Sequence, residues 1–412
     1  MNAQLPPHRT SKMKSASLSH PPPDSVVNAE KARLSAKKKS RVINKPRKEM
    51  WITKIVRKAY PPFSAVFVLL TLLLFNVLPS GHPLNYAEDM LTLAYPVTKN
   101  DGTVLYGKGS KDIQLIIFLV LCMFCGRYLI TEFIFSPLAK VLGTQKKKVQ
   151  SFQDMGWQLI WYTGSWVASG WFVYTQTNFD INNMFKGQNG KSVETNPHLA
   201  LSWDFKLYYM AEIAFWLSMI LTTVLEKWRK DFIEMMIHHF MTSGMLYASY
   251  TTNFAFVGVW ILFEQDFADI FLPLAKMSKY SKMDDLADIF FAVFALAWIP
   301  TRHVFFFYIY YHIWNSVKSF PDEVAMYDPS RGGYFDGPFI DKWLITLGLF
   351  QCLLIWWLKL LLVAVYRALC SSSDDSKKGR VEDHRSESDV SDSDAEKSLW
   401  ELLTTGNKSK SE

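Results

Sequence analysis

Eight apolar runs, most of them close to 20 residues long, are separated by charged or Pro/Gly-rich joints in the middle of this 412-residue chain. A helix rises about 1.5 Å per residue, so a run of about 20 residues crosses the hydrocarbon core of a bilayer. The pattern predicts an all-α membrane protein with about eight transmembrane helices. The runs lie at residues 63–78, 113–135, 157–175, 207–225, 235–250, 256–275, 286–311 and 343–366.

The distribution of Lys and Arg predicts that both ends of the chain face the cytosol. The polar segment at 1–50 is basic and stands just before the first apolar run, which favours a disordered cytosolic flank of a membrane over a nucleic-acid-binding arm. Alternate loops beyond it are also basic. The intervening loops are longer and carry fewer basic residues, as expected for loops on the lumenal side.

The C-terminal segment at 371–412 is rich in Ser, Asp and Glu and predicts a second disordered cytosolic tail. Lys408 and Lys410 match the K-x-K-x-x signal that retrieves membrane proteins to the endoplasmic reticulum, so we expect the protein in that membrane. Ser386 and Ser391 precede acidic residues in the pattern of acidophilic kinase sites, with a plain solvating tail as the alternative.

The fifth and sixth runs hold the densest group of ionisable residues within the apolar part of the chain. Its members are His238, His239, Glu264, Asp266 and Asp269. Ionisable groups in a bilayer are costly and usually line a functional cavity. If the fifth helix begins near Phe232 and the sixth ends near Ala275, His238 and Asp269 each lie about 9 Å from the cytosolic ends of their helices. We therefore expect an imidazole and a carboxylate to meet at equal depth. Such a pair suits general-base or nucleophilic chemistry.

Two other interpretations of this group stay open. The first is a hydrogen bond between His and Asp that only holds two helices together. The second is a metal site, since two His with carboxylates can bind zinc or iron. Adjacent His side chains diverge by about 100° on a helix and no further His completes a ligand set, so we expect no metal.

Further ionisable residues within apolar runs include Glu212 in the fourth run and Arg302 with His303 in the seventh. We expect Arg302 nearer the lumenal side, in a structural ion pair, and we expect Pro300 to kink its helix.

The charged group belongs to a longer pattern. Residues 229–239 read Arg-Lys-Asp-Phe-Ile-Glu-Met-Met-Ile-His-His, and the residues that follow at fixed spacing are Thr242, Ser249, Tyr250, Asn253, Asp266 and Asp269. The pattern resembles, without gaps, the signature of ceramide synthases within the TLC domain. Weaker similarity extends upstream to Glu212 and Trp216.

The resemblance implies a TLC-type helical barrel formed by the last six spans at 150–370, after two spans and their loops at 51–149. It implies a transferase that joins the fatty acyl group of acyl-CoA, as co-substrate, to the amine of a sphingoid base (dihydrosphingosine or phytosphingosine), with no other cofactor. By position, the implied catalytic residues are His238, His239, Asp266 and Asp269. The implied substrate-binding residues are Arg229, Lys230, Thr242, Ser249, Tyr250, Asn253 and Glu212.

The implied partners are the two substrates and membrane lipids, with no nucleic acid. A small single-span accessory subunit is a further candidate, as is a homodimer or a heterodimer with a paralogue. Two other functions stay open, a non-catalytic TLC protein that binds or moves lipid and a transporter with a proton-linked His–Asp pair. The Arg-Lys-Asp run that leads into the double His favours the enzyme.

Overall fold

The computed structural model describes residues 51–82, 85–181, 200–225, 231–252, 254–318 and 337–371. The predictions for the two tails, including their disorder, the kinase sites and the retrieval signal, lie outside the described residues.

The N-terminal part of the described chain contains helices, one small hairpin and two irregular helical turns. They are α1 (Trp51–Val77), α2 (Tyr86–Leu91), β1 (Pro96–Thr98), β2 (Val104–Tyr106), α3 (Asp112–Ile130), a π-helical turn (Thr131–Phe135), α4 (Ser136–Val141) and a 3-10 turn (Lys146–Lys148). The two strands are antiparallel, with Pro96 opposite Tyr106, and Tyr106 also bridges to Leu201.

The C-terminal part consists mainly of helices joined by short connections. Its elements are α5 (Val149–Thr177), α6 (Trp203–Leu225), α7 (Phe232–Thr251), α8 (Ala255–Tyr280), α9 (Asp284–Ile299), a π-helical turn (Pro300–Phe305), α10 (Phe306–Lys318) and α11 (Gly337–Ser371). The fold is therefore all-α apart from the hairpin, as the apolar runs predict.

Five described helical segments are long and apolar enough to cross a membrane. They are Ala59–Val77, Asp112–Val141, Trp203–Leu225, Asp284–Asn315 and Asp341–Tyr366. Helices α5, α7 and α8 are also long, but they do not meet the same measure of hydropathy and charge. Helices α7 and α8 carry the ionisable group described above, which makes them less apolar than the other candidates. The expectation of eight spans therefore stays a prediction.

Helix α6 is the most buried of the five candidate spans. Within its apolar window 56% of the residues are buried, against 11% for α1. Trp161 of α5 stacks on Phe215 of α6 with ring centroids 4.5 Å apart, and Phe205 of α6 packs on Phe256 of α8 at the same separation. Helix α1 therefore leaves most of its apolar surface to lipid, whereas neighbouring helices cover most of α6.

Pro300 starts a π-helical turn instead of ending its helix, so the chain continues from α9 into α10. Proline lacks an N–H, which removes one backbone hydrogen bond, and a wider turn accommodates the loss. The kink expected at Pro300 is thus a local widening of the helix. It carries Arg302, which is 3% exposed.

A buried polar cluster joins α3, α6 and α7. The ammonium of Lys206, which is wholly buried, lies 2.8 Å from the Asp112 carboxylate and donates to the Gly107 carbonyl at 2.7 Å. The Tyr250 hydroxyl donates to the other Asp112 oxygen at 2.8 Å. Burial, followed by the nearby Lys206 charge, lowers the pKa of Lys108 to about 7. The cluster anchors the loop before α3 to the helices.

Gly258 of α8 leaves room for the Tyr209 side chain of α6. A Cβ at this position would collide with the hydroxyl of Tyr209, a wholly buried residue that hydrogen-bonds Ser249. We expect Gly258→Ala to lower the free energy of unfolding by about 1–3 kcal/mol, because the added methyl group displaces this buried hydroxyl. Gly244→Ala is the matched control, since a Cβ there meets no atom within 4 Å. Thermal unfolding in detergent should separate the two variants, and equal melting temperatures would contradict the expectation.

Candidate active site

A cavity of about 970 Å³ lies among helices α5 to α11 and is lined by both His and both Asp residues predicted as catalytic. All of these helices contribute residues to its wall, and α3 adds Arg127. Small-molecule sites reach about 1,000 Å³, so the cavity is large for its class. Most of the residues that line it are apolar or aromatic. The cavity therefore suits a long apolar ligand that carries a few polar groups.

Helix α7 brings His238 and His239 to this cavity. Their ring centroids are 5.5 Å apart, and Trp216 of α6 contacts both rings. On its other side His238 packs against Phe350 and Trp357 of α11, at 5.7 and 5.0 Å between centroids. Both imidazoles are thus held by aromatic rings, although neighbouring positions on a helix point in different directions.

The Nδ1 atoms of both His residues are buried and have no hydrogen-bond partner among the described residues. Neither atom therefore donates a hydrogen bond to a described Asp carboxylate. Both rings nevertheless line the same cavity as Asp266 and Asp269.

The two Asp residues differ in their surroundings. Asp269 forms an ion pair with Arg302 at 2.7 Å, and the guanidinium also donates to the Gln265 carbonyl at 2.9 Å and lies 4.1 Å from the Trp298 ring centroid. Asp266 is 2% exposed, and its Oδ2 has no hydrogen-bond partner among the described residues. The ion pair expected for Arg302 is present, and it lies in the wall of the cavity.

Glu212 of α6 is 2% exposed and is not among the residues that line the cavity. Its role in substrate binding stays a prediction.

The remaining predicted substrate-binding residues fall into three groups. Thr242 and Ser249 line the cavity, and the buried Thr242 hydroxyl has no partner among the described residues. Tyr250 belongs to the cluster around Asp112 and is not among the cavity residues. Arg229, Lys230 and Asn253 lie outside the described residues.

One end of the cavity is rich in charge. Arg127 of α3 lies 2.8 Å from Asp154 of α5, and both residues are buried. Lys276 and Lys279 of α8 line the same end. Within the described ranges, no group of three or more His, Cys, Asp or Glu residues is placed to hold a metal ion.

Sequence reasoning did not identify Trp216 or Arg127 as site residues. Trp216 appears in the upstream part of the resemblance, but its contact with both imidazoles depends on how α6 packs against α7. Arg127 falls near the end of an apolar run, where the sequence alone also fits a membrane anchor. Its position beside Asp154 requires the fold.

The fold and the cavity define a multi-pass helical membrane protein with ionisable residues in its interior. Residues 151–363 match the family described as TLC domain. The chain is 30% identical over 322 residues to sphingosine N-acyltransferase lag1 of Schizosaccharomyces pombe, which covers 77% of this chain and 78% of that protein. The chain belongs to the TLC domain family.

Two other relatives extend the comparison. Sphingosine N-acyltransferase lac1 of Schizosaccharomyces pombe is 29% identical over 338 residues, covering 80% of this chain and 83% of that protein. Ceramide synthase 1 LOH3 of Arabidopsis thaliana is 30% identical over 285 residues, covering 65% of this chain and 87% of that protein. The similarity therefore reaches beyond the matched domain in fungal and plant relatives.

Proposed function

We propose that this protein is a ceramide synthase that transfers a fatty acyl group from acyl-CoA to the amine of a sphingoid base. The observation that carries the proposal is the cavity that combines two imidazoles and two carboxylates with a long apolar wall. The names of the relatives, sphingosine N-acyltransferase and ceramide synthase, support the same reaction.

The shape of the cavity supports a fatty acyl substrate. Ser249 lines the wall about 16 Å further along the α7 axis than His238, at 1.5 Å per residue. Phe254 and Trp343 line the wall beyond it, with ring centroids 6.1 Å apart. A thioester carbonyl beside His238 leaves this apolar length for the hydrocarbon chain. The charged end at Arg127, Lys276 and Lys279 suits the phosphates of CoA.

The chemistry that suits these groups is acyl transfer to nitrogen. In one route His238 attacks the thioester carbonyl, CoA leaves as the thiol, and the acyl-imidazole then gives its acyl group to the amine. In the other, His238 accepts the amine proton while the amine attacks the thioester directly. In both routes a sphingoid ammonium ion must first lose a proton. The nearby carboxylates are suited to accept it.

The test is amide formation by the full chain. Purified protein in liposomes receives a sphingoid base and acyl-CoA, and mass spectrometry follows the N-acyl product. A matched reaction uses the N,N-dimethyl base, which has no N–H to replace and must yield no amide. Amide from the first base alone is expected. Binding of the base without any product would instead indicate a non-catalytic lipid-binding protein.

Four further properties are part of this proposal. They are the endoplasmic reticulum location, the cytosolic ends, a small single-span partner and a dimer with itself or a paralogue. Each follows from the sequence pattern or the resemblance, and each is open to direct measurement.

A further inference from the structure

Trp216 occupies a position that the reaction described above does not use. Its indole ring lies 5.3 Å from the His238 ring and 5.6 Å from the His239 ring, centroid to centroid. It is 6% exposed and lines the cavity. No other described residue makes a ring contact with both imidazoles.

The indole N–H of Trp216 is buried and has no acceptor among the described residues. Burying an unsatisfied donor costs about 1–3 kcal/mol, and a buried indole N–H usually finds a partner. The Thr242 hydroxyl, one helical turn after His238, is buried in the cavity wall with no partner in the same part of the chain. Two unpartnered donors therefore lie in the cavity wall, one on a ring that contacts both imidazoles and one a helical turn after His238.

We propose that the Trp216 N–H is a catalytic hydrogen-bond donor to the carbonyl oxygen of the acyl donor, with the Thr242 hydroxyl as the second donor. The inference rests on the proposed acyl transfer. Neither the sequence pattern nor the family assignment places Trp216 in the reaction.

The role of these donors is the same in both routes of acyl transfer. When a nitrogen attacks the thioester carbon, the C–N bond forms and the carbonyl π electrons move onto oxygen. The resulting oxyanion accepts hydrogen bonds from Trp216 and Thr242. As it collapses, the C=O bond re-forms, the C–S bond breaks, and sulfur leaves with the bonding electrons. The proton released by the attacking nitrogen ends on that sulfur.

Packing makes Trp216 suitable for this role. The ring is held between the imidazoles and Phe215, whose centroid is 5.6 Å away, so the donor has little freedom to reorient. A donor fixed in an apolar site stabilises a developing anion more than a mobile one in water does. Catalytic hydrogen bonds often reach their final length only when substrate is bound.

The test compares two Trp→Phe variants of the full chain. Trp216→Phe keeps an aromatic ring and removes the N–H, and we expect kcat to fall about 100-fold with little change in the KM for acyl-CoA. Trp260→Phe is the matched control, because its indole N–H is also unpartnered in the described part of the chain but it does not line the cavity. We expect its kcat to stay at the wild-type value.

Folding of both variants is checked by thermal unfolding in detergent. A folded Trp216→Phe protein with wild-type kcat would overturn the inference while leaving the proposed function intact. If that variant does not fold, 3-benzothienylalanine at position 216 keeps the ring shape and replaces the N–H by sulfur. A loss of kcat then supports the inference, and wild-type kcat overturns it. Absence of amide from the wild-type chain would overturn both the function and the inference.

Discussion

His238→Ala is expected to lower the rate of amide formation by about 10³-fold or more, within the range contributed by general acid–base catalysis. The imidazole projects from α7 and packs against two other cavity-lining helices, where Trp216 of α6 and Phe350 and Trp357 of α11 hold its ring in place. In the proposed reaction, alanine removes the nitrogen that attacks the thioester or accepts the amine proton. The initial rate of N-acyl product under saturating acyl-CoA measures the loss.

His312→Ala is the matched control for this substitution. His312 lies on α10 against Tyr308 and is not among the residues that line the cavity. We expect wild-type rates from it.

Incubation with labelled acyl-CoA and no base then separates the two routes, because only the acyl-imidazole route labels the protein. Label that persists in His238→Ala but disappears in His239→Ala would show that His239 is the nucleophile and that the proposed role of His238 is wrong.

The second large effect is expected at the Arg302–Asp269 ion pair. Arg302→Gln leaves the Asp269 carboxylate, whose side chain is 24% exposed, without its partner. Breaking a fully buried pair costs about 3–5 kcal/mol of stability, and we expect a loss at the lower end of that range. Asp269→Asn leaves the guanidinium uncompensated and should cost a similar amount. The double variant removes both charges, so most of the stability should return. Thermal unfolding in detergent provides the comparison.

Activity should not follow stability in this series. If Asp269 also accepts a proton during the reaction, the Arg302→Gln/Asp269→Asn protein folds well and stays slow. Lys111→Gln serves as the control, because its pair with Asp89 is exposed and such pairs contribute at most about 1 kcal/mol. A double variant no more stable than either single variant would show that the pair does not couple, and full activity would exclude Asp269 from the chemistry.

The helical architecture was predictable because apolar runs and their spacing depend on local sequence. Each predicted run falls within a described helix or helical segment, and all four residues predicted as catalytic line one cavity. The match to the TLC domain family confirms the assignment that the His-containing pattern suggested.

The partners of the charged groups were not predictable in the same way. Depth along a helix placed His238 level with Asp269. It gave no information on how each helix is rotated about its axis, or on which cations compete for the Asp269 carboxylate. The π-helical turn after Pro300 places Arg302 against that carboxylate, and a widened turn leaves no clear signature in the sequence. The contact of Trp216 with both imidazoles likewise depends on packing between helices.

The Arg127–Asp154 pair has a consequence for chimeric proteins. Arg127 precedes the segment that matches the TLC domain, whereas Asp154 lies just inside it. A graft that joins the first helices of one relative to the catalytic segment of another at this boundary will exchange one member of the pair and keep the other. Unless both parents carry matching charges there, the hybrid loses this buried ion pair at the cavity wall, whatever the state of its histidines.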